Sequence, residues 1–504
     1  MTAPVLMVVG TASSVGKSVL VTALCRIFAQ DGVRVAPFKA QNMSNNADVT
    51  PDGLEIGRAQ SEQAAAAGLA PRVEMNPVLL KPQGDRTSQV VLNGRPAGVL
   101  TSADFDRRAE LWPHVTRALD LLRAEFDLVV AEGAGSPAEP NLYAHDIVNM
   151  SVARYAGARV LLVGDIDRGG VFAHFVGTLA LLPPEDRALV GGLVINRFRG
   201  DPALLAPAIR DVEERTGVAV LGVIPWIDDL GVAPEDAVAI ERADRPAAPA
   251  GSEAGLLDIA VLHLPRIANF DDFDPLAAEP GVALRYVERL EDLGRPALLI
   301  IPGTRATVAD LRWLRERGLD RAVRAYAESG GVVLGVCGGM QMLGERLLDP
   351  AGVEAEAGTM TDGLALLPLE TTFVEEKTTR RATGHVAAAR GAWAPLRGHS
   401  VAGYEIHMGR TTATSAALDP LLRLDGHEDG AVSLDGRIAG TYLHGLFTND
   451  AFRRTFLRSL GWSDVAAMGA GDRREAEFDR LADVVRGHLD LARVRALLGW
   501  PVAG

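Results

Sequence analysis

The stretch VVGTASSVGKSVLVTALCRIF, residues 8–28, places a glycine-rich loop between an apolar run and an amphipathic segment. The apolar run predicts a buried strand, and the apolar side chains at helical spacing after the loop predict a helix with one buried face. At the amino end of such a helix the backbone N–H groups point at an anion, Lys17 adds positive charge, and the Ser18 hydroxyl can reach Mg²⁺. The stretch therefore predicts a nucleotide site, with an ordinary capped turn as the alternative.

The spacing of this loop differs from that of the standard phosphate loop. Five residues, not four, separate Gly10 from Gly16, and Thr11 stands where the first glycine would be. The pattern G-T-x-x-x-x-G-K-S resembles the loop of dethiobiotin synthetase and its relatives, which phosphorylate carboxylates or carbamates. The predicted nucleotide-binding residues of the loop are Gly10, Thr11, Gly16, Lys17 and Ser18.

Apolar runs alternate with longer amphipathic segments from the start of the chain to about residue 240. Runs that are nearly all apolar predict parallel strands buried on both faces, and the helical segments between them predict the α/β class, with a mostly parallel, doubly wound sheet. A second α/β pattern follows. The predicted strands are 4–10, 34–38, 126–133, 158–165 and 191–198 in the first half, and 256–264, 296–303, 330–339 and 438–445 in the second.

The stretch ERADRPAAPAGSEAG, residues 241–255, loses the periodicity and becomes rich in Pro, Ala and charge, so it is the linker candidate. We therefore expect a nucleotide-binding domain over 1–240 and a second α/β domain over 256–455. The helical pattern of 456–504 is expected to close the second domain.

The bulk properties exclude several classes of protein. With 51 basic and 65 acidic residues among 504, the net charge is -14, which disfavours a nucleic-acid partner. No apolar run approaches the length needed to span a bilayer, and the N-terminus lacks the basic region of a signal peptide. Two cysteines cannot form a disulfide framework. These features predict a cytoplasmic protein with no membrane partner. A homo-oligomer is kept as a possible state, on which these features do not bear.

Other polar residues at predicted strand ends suit the nucleotide site. Glu132 ends a strand that opens into Gly-Ala-Gly, where a carboxylate would hold Mg²⁺ together with Ser18; a helix-capping acid is the alternative. Lys39 would neutralise phosphate charge or be a solvated loop lysine. Asn196 would read an adenine edge or be a turn asparagine. The weaker candidates are Asp165 and Asp167 (metal-linked or turn-forming), Asp48 and Glu55 (metal) and Cys25 (core filler).

Cys337 lies in GVVLGVCGGMQMLGE, residues 331–345, between an apolar run and a glycine pair. A strand, a sharp turn and a helix would expose it as a nucleophile, with the N–H of Gly338 placed to bind an oxyanion. A cysteine nucleophile needs a base, and His444 in IAGTYLHGLF follows a predicted strand. A buried structural thiol and a surface histidine are the alternatives.

The segments GVCGGMQMLG and GTYLHGLF resemble the class I, triad-type glutamine amidotransferase domain. PGT, residues 302–304, matches the glycine turn of that fold, which implies that Gly303 completes the oxyanion hole with Gly338. GYEIHMGRT, residues 403–411, resembles a segment of the corrin-amidating branch.

One departure concerns the residue that orients the histidine. The class I pattern has a glutamate two residues after the histidine, where this chain has Leu446. Glu405 or another acid could take that role, and the residue that orients His444 stays unassigned at this point.

The whole chain resembles the corrinoid amidotransferase family of the cobyric acid synthases, through KAQNMSNNADVTPDGLEIGRAQSEQAAAAG (39–68), NPVLLKPQGDRTSQVVLNG and DIDRGGVFA. The resemblance implies that ATP, Mg²⁺ and L-glutamine are used to amidate a small-molecule corrinoid. The implied acceptors are the b, d, e and g side-chain carboxylates of adenosylcobyrinic acid a,c-diamide. Residues 39–68 are polar and close to the phosphate loop in sequence, so we expect them to line the acceptor site.

Two other functions are compatible with the same motifs. The first is cobyrinic or hydrogenobyrinic acid a,c-diamide synthase, which applies the same chemistry to the a and c carboxylates. The second is a partitioning-type ATPase switch with an inactive amidotransferase domain. Such ATPases usually carry an extra lysine early in the loop, where this chain has Thr11-Ala12-Ser13.

Overall fold

The computed structural model describes residues 2–84, 87–101, 105–228, 255–415, 418–463 and 467–501. The chain forms two compact units that do not follow one another simply along the sequence. The first unit comprises Met1–Ser44, Glu55–Glu235 and Arg473–Gly504, and the second comprises Asn45–Leu54 and Asp236–Asp472. Except for Gly255, the expected linker 241–255 lies outside the described residues. Among the described residues no helix is both long enough and apolar enough to cross a bilayer.

The first unit contains a six-stranded sheet in which all neighbouring strands are parallel. In spatial order its strands are Val220–Pro225, Val190–Phe198, Arg159–Asp165, Val5–Gly10, Leu128–Glu132 and Val35–Phe38. Along the central strand, Met7 and Val9 pack in one apolar cluster, whereas Leu6 and Val8 pack in another. Because both faces are covered, the strand is apolar at every position, and the predicted fold class is confirmed.

The other elements of the first unit surround this sheet. Its helices are Lys17–Gln30, Arg58–Ala66, Phe105–Glu125, Met150–Ala156, Val171–Leu181, Pro184–Arg187, Ala206–Thr216, Ala470–His488 (from Arg473 on) and Leu491–Leu497, with 3₁₀ turns at Val73–Met75, Tyr143–His145 and Pro202–Leu205. A smaller sheet consists of Gln41–Met43, Val78–Gly84, Thr87–Leu92 and Arg95–Thr101. The short strand Glu55–Gly57 also belongs to this unit.

The last residues of the chain correct one prediction. Residues 456–504 were expected to close the second domain, but Arg473–Gly504 belong to the first unit. Leu481, Ala482 and Val485 lie in the same apolar cluster as Phe28 of the helix that follows the phosphate loop. The sequence pattern showed that these helices have an apolar stripe, but a stripe does not specify which surface it covers.

The second unit contains a six-stranded sheet and a mixed sheet, in which the strands Arg346–Asp349 and Leu369–Val386 are parallel and the other pairs antiparallel. The strands of the first are Val282–Val287, Leu257–Leu262, Leu298–Ile301, Val333–Val336, Ile438–Thr441 and Ala431–Val432, parallel except for the last pair. The strands of the other sheet are, in spatial order, Thr359–Asp362, Arg346–Asp349, Leu369–Val386, Leu422–Leu424 and His427–Asp429. The strand Ser400–Ala413 also pairs with Leu369–Val386, in the antiparallel direction. The short strand Ala47–Val49 completes the set. The helices are Asp274–Ala277, Leu290–Leu293, Thr307–Glu316, Leu319–Glu328, Gly338–Leu343 and Asp450–Ser459, with 3₁₀ turns at Phe270–Phe273, Gly391–Leu396 and Leu446–Thr448.

Close packing explains the glycines around Cys337. A Cβ built at Gly339 would lie 1.9 Å from the carbonyl oxygen of Ile301, and one at Gly335 would lie 2.7 Å from the carbonyl carbon of Gly339. A side chain at either position would therefore push the helix Gly338–Leu343 away from the sheet. The glycines hold this helix against the strand ends, and Cys337 lies at its first turn.

Candidate active sites

Cys337 occupies a strained turn between the strand Val333–Val336 and the helix that follows. Its φ of 50° is left-handed, which a residue with a side chain rarely adopts. Its N–H donates to the carbonyl oxygen of Thr441 at 2.8 Å, and its thiol lies 3.6 Å from the carbonyl oxygen of Ile406. The side chain is buried among residues of the second unit. This is the geometry expected of a nucleophile elbow.

His444 is oriented by Asp272, which the sequence analysis did not single out. Nδ1 of His444 lies 2.6 Å from Oδ2 of Asp272, and the N–H of Gly445 donates to Oδ1 of the same carboxylate at 2.8 Å. Burial alone would lower the pKa of His444, but the charge and hydrogen bond of Asp272, with a contribution from Cys337, raise it from 6.5 to about 10. Cys337 is therefore among the groups that act on the imidazole.

The candidate oxyanion glycines both lie beside this pair. A Cβ at Gly303 would be 3.2 Å from Cε1 of His444 and 3.7 Å from Cβ of Cys337. A Cβ at Gly338 would be 3.1 Å from the backbone nitrogen of Thr304. The glycine turn and the elbow therefore meet at Cys337, as the resemblance implied.

The histidine is also supported by the long hairpin, which consists of the paired strands Leu369–Val386 and Ser400–Ala413. The ring of Tyr404 stacks on that of His444, with centroids 5.3 Å apart. The N–H of His444 donates to the carbonyl oxygen of Tyr404 at 2.8 Å, and the reverse bond is 3.2 Å. A Cβ at Gly403 would lie 2.1 Å from the carbonyl oxygen of His444, so only glycine fits there.

Glu405, which the sequence offered as an orienting acid, has other partners. This buried carboxylate forms an ion pair with Arg380, and its Oε1 lies 3.3 Å from Nε2 of His427. It therefore supports the hairpin and does not orient His444. Leu446, at the usual glutamate position, is buried in the apolar core.

A weak signal for Asp272 was present in the sequence. NFDDFDP, residues 269–275, follows the first strand of the second sheet, where acids at the carboxyl edge of a parallel sheet can meet residues from neighbouring strands. His444 follows another strand of that sheet. The two residues are 172 positions apart, so spacing alone could not pair them.

The phosphate loop of the first unit is closed by its own lysine. Gly16 has a φ of 96°, which suits glycine, and it precedes the helix Lys17–Gln30. Nζ of Lys17 donates to the carbonyl oxygens of Ala12 at 3.0 Å and of Gly135 at 3.3 Å. The lysine thus joins the loop to the Gly-Ala-Gly segment that follows Glu132.

Glu132 is the centre of a buried polar cluster beside this loop. Its Oε1 accepts hydrogen bonds from Ser18 Oγ at 2.8 Å and from Lys39 Nζ at 2.9 Å, and its Oε2 accepts from Gln63 Nε2 at 2.6 Å. Glu132 is 1% exposed and Lys39 is 2% exposed. Lys39 is therefore not a solvated loop lysine, and Glu132 is not a helix cap. Gln63 was not predicted.

The oxygen atoms of this cluster fit a magnesium ion. The hydroxyl of Ser18 and the carboxylate of Glu132 are hard oxygen donors that lie together at the amino end of a helix. Among the described residues there is no group of three or more His, Cys, Asp or Glu side chains able to hold a metal. A site with few protein ligands suits Mg²⁺, which keeps waters and substrate phosphate oxygens in its shell.

Two asparagines support the loops of the nucleotide site. Nδ2 of Asn196 donates to the carbonyl oxygen of Val15 at 2.8 Å, so Asn196 contacts the phosphate loop and is not merely a turn residue. Asn149, which was not predicted, bonds both the N–H and the carbonyl oxygen of Ala134, at 3.1 and 2.8 Å. Both side chains fix loops that follow strands of the sheet.

The weaker candidates have structural partners. Asp165 pairs with Arg197 at 2.8 Å and accepts the N–H of Asp167 at 2.9 Å, which favours the turn-forming alternative. Glu55 is buried against Lys81 at 2.6 Å. Asp48 lies 3.7 Å from Arg381 within the second unit. Cys25 is buried in the first unit, and burial raises the pKa of its thiol, as expected of core filler.

A phosphate-loop unit and a cysteine–histidine–aspartate unit in one chain define a glutamine amidotransferase that uses a nucleotide. Family models agree, since residues 6–240 match the CobQ/CobB/MinD/ParA nucleotide binding domain and residues 258–452 match the CobB/CobQ-like glutamine amidotransferase domain. The chain belongs to the cobyric acid synthase family.

The relatives that show this membership match the chain from end to end. A cobyric acid synthase of Chloroflexus aggregans is 56% identical over 96% of both chains, and one of Roseiflexus castenholzii is 55% identical over 99% of both. One of Herpetosiphon aurantiacus is 51% identical over the full length of both. Among solved structures, a glutamine amidotransferase covers 40% of this chain with 19% identity and a TM-score of 0.31.

Proposed function

We propose that this enzyme uses ATP and glutamine to amidate the b, d, e and g side-chain carboxylates of adenosylcobyrinic acid a,c-diamide. The observation that carries the proposal is the presence in one chain of Cys337 with His444 and Asp272, and of Ser18 with Glu132 at a phosphate loop. The choice of acceptor rests on the relatives above, which are named cobyric acid synthases and not a,c-diamide synthases.

In the glutaminase half, the thiol of Cys337 attacks the carboxamide carbon of glutamine. His444 takes the thiol proton and gives it to the departing ammonia, while Asp272 holds the imidazole and stabilises its charged form. The backbone N–H groups of Gly303 and Gly338 bind the oxyanion of the tetrahedral intermediate. Water then releases glutamate from the γ-glutamyl thioester.

In the synthetase half, the phosphate loop binds the phosphates of ATP, with Lys17 and Lys39 supplying positive charge. A bound Mg²⁺, held by Ser18 and Glu132, would neutralise phosphate charge. Asn196 is the candidate for contact with adenine. A carboxylate oxygen of the acceptor attacks the γ-phosphorus and ADP leaves. Ammonia then attacks the acyl phosphate carbon and expels phosphate, which leaves the amide.

The decisive experiment follows the acceptor by mass spectrometry. The purified chain, given the a,c-diamide, ATP, Mg²⁺ and glutamine, should replace OH by NH₂ on the corrinoid in four successive steps. No turnover of the diamide, with amidation of cobyrinic acid instead, would favour the a,c-diamide synthase. ATP hydrolysis without amidation of either corrinoid would favour the ATPase switch.

Variants of the two cysteines distinguish glutamine hydrolysis from the amidation reaction. Cys337→Ala should lose glutamine-dependent amidation but keep amidation driven by ammonium salts. Cys25→Ala is the matched control, because Cys25 lies in the core of the other unit and should keep glutaminase activity. Equal glutamate release by both variants would show that Cys337 is not the nucleophile. Cytoplasmic location and a possible homo-oligomer stay predictions from the sequence.

A further inference from the structure

The ten residues Asn45–Leu54 belong to the second unit, although the chain on either side of them belongs to the first. They carry the short strand Ala47–Val49, in which every residue is buried. This segment lies inside the stretch 39–68 that we expected to line an acceptor site. The stretch 39–68 is therefore divided between the two units. The contacts of Asn45–Leu54 within the second unit indicate what this segment does there.

Asn46 forms a reciprocal pair of hydrogen bonds with Asn269. Oδ1 of Asn46 accepts the N–H of Asn269 at 2.8 Å, and Oδ1 of Asn269 accepts the N–H of Ala47 at 3.0 Å. The two asparagines are 2% and 4% exposed. Buried amides that satisfy each other in this way fix both backbones, because breaking either bond leaves a polar group without water.

Asn269 begins the turn that carries Asp272. It has a φ of 52°, in the left-handed region that asparagine tolerates better than most residues. Its carbonyl oxygen accepts the N–H of Asp272 at 3.1 Å, at the start of the turn Phe270–Phe273. The position of the Asp272 carboxylate therefore depends on the backbone at Asn269, which Asn46 holds.

The same segment also contacts the second support of the histidine. Asp48 pairs with Arg381, and a Cβ at Gly53 would lie 3.5 Å from the carbonyl oxygen of Thr379. Both partners belong to the strand Leu369–Val386, which pairs with the strand that carries Tyr404. Tyr404 in turn stacks on the catalytic histidine. Residues 45–54 thus contact both elements that orient the imidazole.

We propose that Asn46 is a positioning residue of the glutaminase reaction: through Asn269 it holds the turn that presents Asp272 to His444. The inference rests on the proposed roles of Cys337 and His444 in glutamine hydrolysis. Asn46 acts through the orientation of the imidazole, so its loss reduces the rate of proton transfer more than the binding of glutamine.

The first test measures glutamate release by the full-length chain. Asn46→Ala should lower kcat about 10–100-fold, the usual cost of losing a residue that orients a catalytic group, with the KM for glutamine nearly unchanged. Asn46→Asp keeps the Oδ1 acceptor and should recover most of the rate. Asn45→Ala is the matched control, because no group among the described residues forms a hydrogen bond with Oδ1 of this neighbouring asparagine.

A second test distinguishes positioning from a general loss of structure. The pH profile of inactivation by a diazoketone glutamine analogue should shift in Asn46→Ala in the same direction as in Asp272→Asn. Amidation driven by ammonium salts should fall much less than the glutamine-dependent rate. Asn269→Gly tolerates the positive φ and removes the bond to Ala47, so the double variant with Asn46→Ala should be no slower than the worse single variant.

These measurements decide the inference even if Asn46→Ala folds poorly. In that case glutamate release is measured on Asn46→Asp and Asn269→Gly instead. Circular dichroism and melting temperature check that these variants are folded. Glutaminase activity of Asn46→Ala equal to that of Asn45→Ala would overturn the proposal, as would equal losses of the glutamine- and ammonia-dependent rates. Glutamate release involves no corrinoid acceptor, so this result is independent of whether the diamide is the substrate.

Discussion

The carboxylate of Asp272 binds two successive residues, with Oδ2 2.6 Å from Nδ1 of His444 and Oδ1 2.8 Å from the nitrogen of Gly445. One oxygen orients the ring and the other fixes the backbone that carries it. The second ring nitrogen is thereby left for the thiol, as in a triad assembled from unrelated parts of a chain.

Replacing Asp272 by asparagine should disable the glutaminase while preserving its shape. The amide cannot stabilise the imidazolium, so we expect kcat for glutamate release to fall about 10²–10⁴-fold. The pKa of His444, raised to about 10 with the help of Asp272, should fall. The pH dependence of inactivation by a diazoketone glutamine analogue measures that change. Ammonia-dependent amidation should be unaffected.

Glu405→Gln is the control for this variant. Glu405 is also a buried acid of the second unit, but its partners are Arg380 and His427. Neutralising Glu405 should destabilise the hairpin without changing the pH dependence of inactivation by the diazoketone. A profile shifted by Glu405→Gln and not by Asp272→Asn would reverse the assignment.

Glu354 predicts a pH dependence of stability. Burial raises the pKa of this carboxyl from 4.5 to about 7, against the opposing hydrogen bonds of Val308 and Thr307. Between these pH values the folded chain keeps a proton that the unfolded chain has lost, so stability falls as pH rises through this window and the full loss is present above pH 7.

Glu354→Gln should remove this contribution, which corresponds to about 3 kcal/mol. The measurement is the melting temperature of wild type and variant at pH 5 and pH 8, and the variant should lose less stability between the two. Burial also raises the pKa of Asp429, to about 6. In both proteins this carboxyl adds a smaller decrease of stability with rising pH. An identical pH dependence in the two proteins would contradict the prediction.

Glu132→Gln should separate the two half-reactions in the opposite direction. Removing the charge abolishes the ion pair with the buried Lys39 and removes an oxygen ligand proposed for Mg²⁺. We expect ammonia-dependent amidation to fall about 10–100-fold or more and to require higher Mg²⁺. Glutamate release should continue. Cys337→Ala, with the reverse pattern, is the comparison, and a Glu132→Gln variant with normal Mg²⁺ dependence would exclude the metal role.

Gly339→Ala should disrupt the elbow by packing alone. The added Cβ would lie 1.9 Å from the carbonyl oxygen of Ile301, so the helix must move, at a cost of about 1–3 kcal/mol or more. The urea midpoint for loss of glutaminase activity measures this. Gly177→Ala is the control, because a Cβ there meets open space in the helix Val171–Leu181 and should be neutral or slightly stabilising.

Local patterns were enough to predict the parallel strands and both reactive loops. Runs such as 160–164 are apolar at every position because the sheet is covered on both faces, and this pattern rarely arises otherwise. The glycines around Cys337 and in the loop before Lys17 are likewise needed by the local backbone, for close packing or a positive φ. Such features depend on neighbours in the chain, so the sequence contains them directly.

The residues that were missed act across long separations. Asp272 meets His444, and Gln63 meets Glu132, only because the fold brings distant loops together. The antiparallel pairing of Leu369–Val386 with Ser400–Ala413 was also not predicted, since these strands mix buried, partly buried and exposed positions and lack long apolar runs. The docking of 473–504 depends on which of several apolar surfaces accepts a helix stripe.

The interleaved path of the chain bears on how the gene can be divided. The boundary between the units is crossed after Ser44, after Leu54, after Glu235 and after Asp472. A break at any one of these points leaves part of one unit on the wrong polypeptide, and a break after Glu235 separates Asn46 from Asp272. Neither unit can therefore be expressed whole from one continuous stretch of the gene without including part of the other.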